Sequence, residues 1–417
     1  MHILIVVTHL LGTGHLRRAI NLSHAFVTEG HKVTLASGGM QVDSLNTEGI
    51  SFIQLPPLRS DGTNFTRLLG ADDAIVDESY LQSRGDKLIE LLQKFQFDAI
   101  ITELFPFGRR VLREEFTRLL KAAHARPVAP VMLSSVRDIL AAPSSDKKVE
   151  QTEALIDSYY DGVFVHSDRA TTPLDVSWPV SDLLQAKLYY TGYVAARSAG
   201  DIKEAPQHTG EVIVSAGGGS VGRQLYETAI EAARLSPNKR WRLLIGGSDA
   251  REEVARLKIL AYGSSAPNSS AQGLSAMGSS AMESSGTDLS VIIEPNRPDF
   301  MQLLSGAACS VSMCGYNTAI DLLLTGTPGV LIPFDAGGEQ EQTLRARSLS
   351  NSASYNLLLS EHLTPESLCS AVDKSIATGR FSTDSSMYNG ALETVRVTTT
   401  LVSNKRENRV AGQLTRE

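Results

Sequence analysis

The run HILIVVT passes at once into Gly12-Thr13-Gly14 and a helical pattern from His15 to about Glu29, and the same succession starts again at Glu211. There EVIVSA is followed by Gly217-Gly218-Gly219-Ser220-Val221-Gly222 and a helix through Ala233. A continuous apolar strand has no solvated face, so it must lie inside a sheet covered on both sides. Strands of this kind alternating with helices indicate a parallel α/β sheet. After the first unit come HKVTLAS, ISFIQL, DAIIT, PVMLSS, GVFVHS and KLYYTG, with helical stretches such as Glu78 to Phe95 and Arg109 to Ala123 between them. After the second come RWRLLIGG, SVIIE, CSVSM and GVLIP. The expected fold class is α/β, two Rossmann-like domains with parallel sheets.

Between the halves, residues 195–210 are small, polar and turn-prone, the composition of a linker. The expected domains are residues 1–194, then the linker, then 211–380, with a C-terminal helix and tail at 381–417. Residues 263–288 are a Ser-, Ala- and Gly-rich insertion that buries too little apolar surface to offset its ordering entropy, so a disordered loop is expected there. At 417 residues the chain is long enough for two cores. Its 39 Lys and Arg against 46 Asp and Glu give a net charge of −7, which excludes a whole-molecule basic field for nucleic acid. No apolar run approaches a membrane span, and the first strand lacks the basic flank of a signal peptide. Cys309, Cys314 and Cys369 have neither metal-site spacing nor an even number for pairing. A cytoplasmic protein is expected.

Glycines at a strand-to-helix junction let a ligand approach the backbone, and the helix N-terminus favours an anion there. Gly217, Gly219 and Gly222 fit G-x-G-x-x-G, the dinucleotide pattern. That pattern also needs an acidic residue ending the next strand, where this chain has Gly246-Gly247, with Asp249 too late. The first turn carries Arg17 in place of a third glycine. Tight turns also use glycine for geometry alone.

The segment CGYNTAIDLLLTGTPGVLIPF, Cys314 to Phe334, with GGEQEQTLRA from Gly337, resembles the donor-site signature of GT-B glycosyltransferases. It is similar to plant-type UDP-sugar transferases and to the bacterial lipid-linked N-acetylglucosaminyltransferase family of peptidoglycan synthesis. The resemblance extends over nearly the whole chain in layout and is specific at residues 12–18, 215–222 and 294–346. It implies a nucleotide-diphosphate sugar as donor, UDP-linked, and a hydroxyl acceptor, lipid-linked or small. It also implies binding of the diphosphate by Gly14, Gly217, Gly218, Gly219, Ser220 and Gly315. Asn317 and Thr318 would donate hydrogen bonds at the helix start, Asp321 would accept from the ribose hydroxyls, and Glu341 and Gln342 would meet the sugar. Arg197 stands near the family's phosphate-binding Arg, and Arg297 in its nucleobase loop. Met313 departs from the plant-type pattern, which has a phosphate-contacting His there.

His15 follows the first glycine turn at the carboxyl end of a strand, where open α/β sheets bind ligands. A neutral imidazole there can take the acceptor hydroxyl's proton. Glu103 and Asp138 end neighbouring strands and could orient His15 or bind acceptor; helix capping or loop salt bridges would equally place acids there. No D-x-D occurs, so neither a metal nor another cofactor is expected. Arg109, Arg110, Arg113, Arg118, Lys121 and Arg126, with the preceding Leu-Phe-Pro-Phe, could dock peripherally on an anionic membrane. The simpler reading is a solvated helix face over a buried stripe. A UDP-sugar hydrolase, an epimerase of the same fold and a non-catalytic nucleotide-sugar-binding protein are the alternatives to a transferase.

Overall fold

The computed structural model describes residues 1–42, 45–61, 64–195, 210–217, 222–247, 249–263, 291–334, 340–352, 355–382 and 385–414. Arg197, Gly218, Gly219, Ser220 and almost all of the 195–210 and 263–288 segments lie outside them. The chain divides into two compact units. One comprises residues 1–199 and 384–417, the other 200–383.

The first unit begins with β1 (His2–Val7), α1 (Gly14–Thr28), β2 (Lys32–Gly39), β3 (Ser51–Asp61) and β4 (Asn64–Leu69). It continues with α2 (Glu78–Lys94), β5 (Ala99–Glu103), α3 (Arg113–His124), β6 (Val131–Arg137) and α4 (Asp146–Tyr159). β7 (Gly162–His166), the short α5 (Asp182–Gln185) and β8 (Leu188–Tyr190) complete its sheet, ordered β4-β3-β2-β1-β5-β6-β7-β8. All neighbours are parallel except β3 and β4. Alternation along β1 supplies both faces. Leu4 and Val6 join the core with Leu88, Phe116 and Leu119 of α2 and α3. Ile3, Ile5 and Val7 join Leu16, Ala19, Ile20 and Phe26 of α1 on the other side. Each of these fully buried aliphatic side chains contributes about 1.5–3 kcal/mol over an exposed one.

The second unit has β9 (Glu211–Ser215), α6 (Arg223–Leu235), β10 (Arg240–Ile245), α7 (Ala250–Tyr262), β11 (Val291–Pro295) and α8 (Phe300–Gly306). It continues with β12 (Cys309–Ser312), α9 (Tyr316–Thr325), β13 (Gly329–Leu331), α10 (Glu341–Ser352), β14 (Tyr355–Leu357) and α11 (Pro365–Thr378). Its sheet is parallel throughout, ordered β11-β10-β9-β12-β13-β14. α11 starts with a capping box between Thr364 and Ser367 and Pro365 in its first turn, which satisfies the helix's orphan N–H groups.

A C-terminal helix lies within residues 381–417. α12 (Gly390–Leu414) belongs to the first unit, where Val395, Val397 and Val402 close the α1 face of the core. Lys405 pairs with Asp161 and Arg406 with Asp98, which anchors the helix. No helix among the described residues is long and apolar enough to cross a membrane.

Candidate active site

Each sheet reverses its strand order at one place, and a crevice opens outside the carboxyl ends of the strands where two connections leave in opposite directions. In the first unit this switch lies between β1 and β5. His15 follows β1 in the first turn of α1, and Glu103 is the last residue of β5. His15 Nδ1 is 2.7 Å from Glu103 Oε1. Arg18 lies three residues after His15, on the same helix face, and donates to the same carboxylate oxygen. Its guanidinium is also 3.4 Å from His15 Nδ1. Arg18 and Glu103 are buried, whereas the His15 side chain keeps 14% of its surface exposed.

The electrostatics follow from these positions. Burial alone would raise the Glu103 pKa, but the imidazole of His15 and the guanidiniums of Arg18 and Arg109 outweigh it and hold the carboxyl well below its usual range. A carboxylate only accepts, so His15 Nδ1 carries the proton it donates and Nε2 carries the lone pair. Burial lowers the His15 pKa to about 4, opposed by Glu103 and assisted by Arg109 and Arg137. The imidazole is therefore neutral near pH 7, the form a proton acceptor needs.

The surrounding residues are held by backbone. Leu104 and Arg109 have left-handed φ values of 65° and 57°, a strained conformation for branched or long side chains. The bend turns Arg109 back so that its Nε donates to the Thr8 carbonyl at 2.6 Å. Asp138 Oδ1 accepts the N–H of Ile139 at 2.8 Å. Of the two expected carboxylates, Glu103 is thus the one hydrogen-bonded to His15, and Asp138 serves its own loop. Behind them His166 is fully buried, with Nε2 2.8 Å from Ser135 Oγ and Nδ1 2.8 Å from Thr191 Oγ1. Burial lowers its pKa to about 3.

The aromatic residues that precede the basic helix lie in the core. Phe105 stacks on Phe116 at 4.6 Å and Phe107 packs edge-on against Trp178, both in the core. Arg113 binds Gln151, Arg118 binds Asp86, and Arg110 lies over the Trp178 ring.

In the second unit the switch lies between β9 and β12. Gly217 leaves β9 with φ +83°, and Gly315 caps α9 after β12. At Gly14, Gly217 and Gly315 a Cβ would meet nothing within 4 Å, so packing does not require glycine there, although the positive φ of Gly217 does. Gly222 differs: its φ is +120° and a Cβ would lie 2.3 Å from that of Ala216, so this glycine serves turn and packing. Gly315 gives α9 no side-chain cap, and the start of a helix favours an anion.

Asn317 is exposed and Thr318 buried in the first turn of α9, with Asp321 one turn further on. The Asp321 carboxylate has no hydrogen-bond or ion-pair partner among the described residues, and burial pushes its pKa up to about 7. Glu341, at the start of α10, binds the buried Arg345 at 2.9 Å. Arg345 also donates to the Cys314 carbonyl at 2.8 Å, fixing the turn that starts α9. Gln342 Oε1 accepts the Phe334 N–H at 3.2 Å. Arg297 is held by Asp299 at 2.6 Å and approaches Glu294 at 3.5 Å. Among the described residues no group of three or more His, Cys, Asp and Glu is placed to hold a metal ion.

Sequence reasoning missed Arg18, Arg109, Arg137 and Arg345. For Arg18 a signal existed: it follows His15 by one helical turn, so the two share a face. Arg345 likewise follows Glu341 by four. Arg109 and Arg137 are placed by loop conformation and strand register, which leave no local pattern.

Residues 213–393 match the glycosyltransferase family 28 C-terminal domain. UDP-N-acetylglucosamine–N-acetylmuramyl-(pentapeptide) pyrophosphoryl-undecaprenol N-acetylglucosamine transferase 1 of Bacillus cereus is 33% identical over 89 residues, 21% of this chain and 24% of that protein. The transferase of that name from Agrobacterium fabrum is 24% identical over 185 residues, 44% of this chain and 43% of its own length. The similarity to these curated relatives thus spans under half of their length. Among solved structures, MurG of Acinetobacter baumannii superposes with a TM-score of 0.57 at 15% identity, over 97% of this chain and 99% of its own. The calicheamicin glycosyltransferase CalG4 gives 0.56 at 14% identity, over 99% and 97%. At these identities the likeness establishes the fold.

Proposed function

The chain is family-28-like and of GT-B fold, with a glycosyltransferase family 28 C-terminal domain at residues 213–393, and we propose that it transfers a sugar from a nucleotide-diphosphate donor, a UDP-sugar, to a hydroxyl acceptor. The observation that carries this reading is the His15–Glu103 pair at the switch point of the first sheet. It leaves a neutral imidazole with a lone pair on Nε2. The acceptor O–H gives its proton to Nε2 while its oxygen bonds to the anomeric carbon, and the bond from that carbon to the diphosphate breaks. Glu103 stabilises the imidazolium so formed. Direct displacement of this kind inverts the anomeric centre.

The second unit binds the donor in this reading. N–H groups at the start of α9 and after β9 neutralise charge growing on the departing diphosphate, so binding and leaving-group stabilisation fall to backbone dipoles. Asp321 accepts from the ribose hydroxyls, which supplies the partner that the unpaired carboxylate lacks. Glu341 and Gln342 face the sugar, with Arg345 linking Glu341 to the turn beneath the diphosphate. The names of the curated relatives specify UDP-N-acetylglucosamine, which makes UDP the first nucleotide to test.

The test is a thermal-shift screen of nucleoside diphosphates followed by turnover of UDP-sugars with and without hydroxyl acceptors. Stabilisation by UDP without added divalent cation, and sugar release that rises sharply with acceptor, are the expected results. Fast release with water alone would replace the transferase reading by a hydrolase, and tight binding with no turnover would leave a binding protein.

A further inference from the structure

The Glu103 carboxylate has two claimants on a single oxygen. His15 Nδ1 and an Arg18 nitrogen both bind Oε1, while buried Oε2 has no hydrogen-bond partner among the described residues. An acid whose task were only to orient the imidazole would not need a buried guanidinium on the same atom. The cost of burying that cation calls for a use.

We propose that Arg18 is a positioning residue for the base: it clamps Glu103 onto His15 Nδ1 and, from 3.4 Å, opposes a second proton on the imidazole, so that Nε2 stays available. This inference rests on the reading of His15 as base.

The physical argument is a balance of charge at His15. Glu103, at the end of β5, favours the imidazolium. Arg18 comes from the same helix as His15, and Arg109 and Arg137 from the loop after β5 and the end of β6. All three guanidiniums stay charged at any working pH. His9, after β1, and His166, at the end of β7, are both lowered mainly by burial and add no charge near neutrality. Asp138, after β6, is engaged with Ile139 N–H. The main charges acting on His15 are thus the Glu103 carboxylate against the Arg109 and Arg137 guanidiniums, with the Arg18 guanidinium 3.4 Å from Nδ1 and bonded to that carboxylate. By sharing Oε1, Arg18 also keeps the carboxylate ionised, so the Nδ1–H···O bond persists and the lone pair stays on Nε2.

The experiment reads His15 directly, without a substrate. Full-length protein labelled with 15N-histidine is titrated by NMR as wild type and as Arg18→Gln, Arg18→Lys and Glu103→Gln, with His15→Ala identifying the resonance. In the wild type His15 should be neutral with its proton on Nδ1 well below pH 6.5, the ordinary midpoint. Arg18→Gln should raise the midpoint by about one pH unit or more, roughly a tenfold gain in proton affinity. Arg18→Lys should restore most of it, and Glu103→Gln should lower the midpoint further because the cations remain. Where activity is measured, the acid limb of kcat/KM should move up in Arg18→Gln by the same amount. A folded Arg18→Gln with an unmoved His15 midpoint overturns the proposal. Should that variant not fold, a midpoint that stays or rises in Glu103→Gln, an isosteric change, overturns it instead. The base reading fails separately, if His15→Ala turns over like wild type.

Discussion

The two switch points share a topology and differ in how their polar groups are satisfied. In the first unit, His15 and Arg18 both bind Glu103 and all three are mostly buried, so their charges are set before any ligand arrives. In the second, a Cβ at Gly217 or Gly315 would meet nothing within 4 Å, Asn317 is exposed, and the Asp321 carboxylate has no partner among the described residues. The switch point of the first unit is organised by its own side chains, that of the second by groups that await a partner. The difference suits the proposed division of labour. A base must have a fixed tautomer and pKa before the reaction, whereas a nucleotide brings its own charge and hydroxyls and can complete the binding site itself.

The largest effect should come from His15→Ala, with kcat lowered by roughly 10²–10⁴-fold, the usual span for a general base. UDP affinity by calorimetry should change little, because the second unit holds the nucleotide. Equal losses of turnover and of UDP binding would erase the contrast between the two switch points, and altered circular dichroism would make His15 structural.

Next comes stability. Glu103→Ala strands the buried Arg18 cation and should cost about 3–5 kcal/mol, seen as a lower melting temperature of the first unit. Asp321→Ala should leave melting unchanged or raise it, since that carboxylate contributes no bond to the described fold. Similar destabilisation by both changes would show that Asp321 is bonded within the apo protein after all.

A smaller effect is expected on binding. Asp321→Ala should lose about 1–3 kcal/mol of UDP affinity, the cost of leaving ribose hydroxyls without their acceptor. Unchanged affinity would remove Asp321 from the donor site.

The smallest effect is on pH dependence. With a folded pKa near 7 against 3.8 unfolded, Asp321 binds more protons when folded, so its contribution favours the folded state below about pH 4 and is lost as pH rises through 7. Asp321→Asn should therefore stabilise the free protein at pH 8, by about 1 kcal/mol. Hydroxyl donors favour the carboxylate form, so UDP should bind more tightly at pH 8 than at pH 6, up to about tenfold, with the slope absent in Asp321→Asn. His15 runs the other way: its lowered pKa takes stability away as pH falls from about 6.5 towards 4. Equal slopes in wild type and Asp321→Asn would assign the pH dependence elsewhere.

Much of the fold was legible in local pattern. The apolar runs named from the sequence became β1, β2, β3, β5, β6, β7, β8, β9, β10, β11, β12 and β13, because strands inside a covered parallel sheet are largely apolar. β4 and β14 were missed: NFTRLL carries polar residues suited to an edge, and YNL is too short to show a period. The candidate residues on the two switch turns, His15 and Gly217 among them, were found because glycine after a buried strand is a local signal with a physical cause.

The sequence by itself thus determined two parallel α/β units, their glycine turns and the residue types at the strand ends, since burial and turn geometry act over a few neighbouring positions. Tertiary structure alone decided which charges meet. Arg18 and Glu103 are 85 residues apart in sequence, and α12 returns from the far end of the chain to cover the first core. Those contacts depend on strand order and on helices packing back onto a sheet, and the free energy that selects them belongs to the assembled core, with no trace in any short stretch of chain.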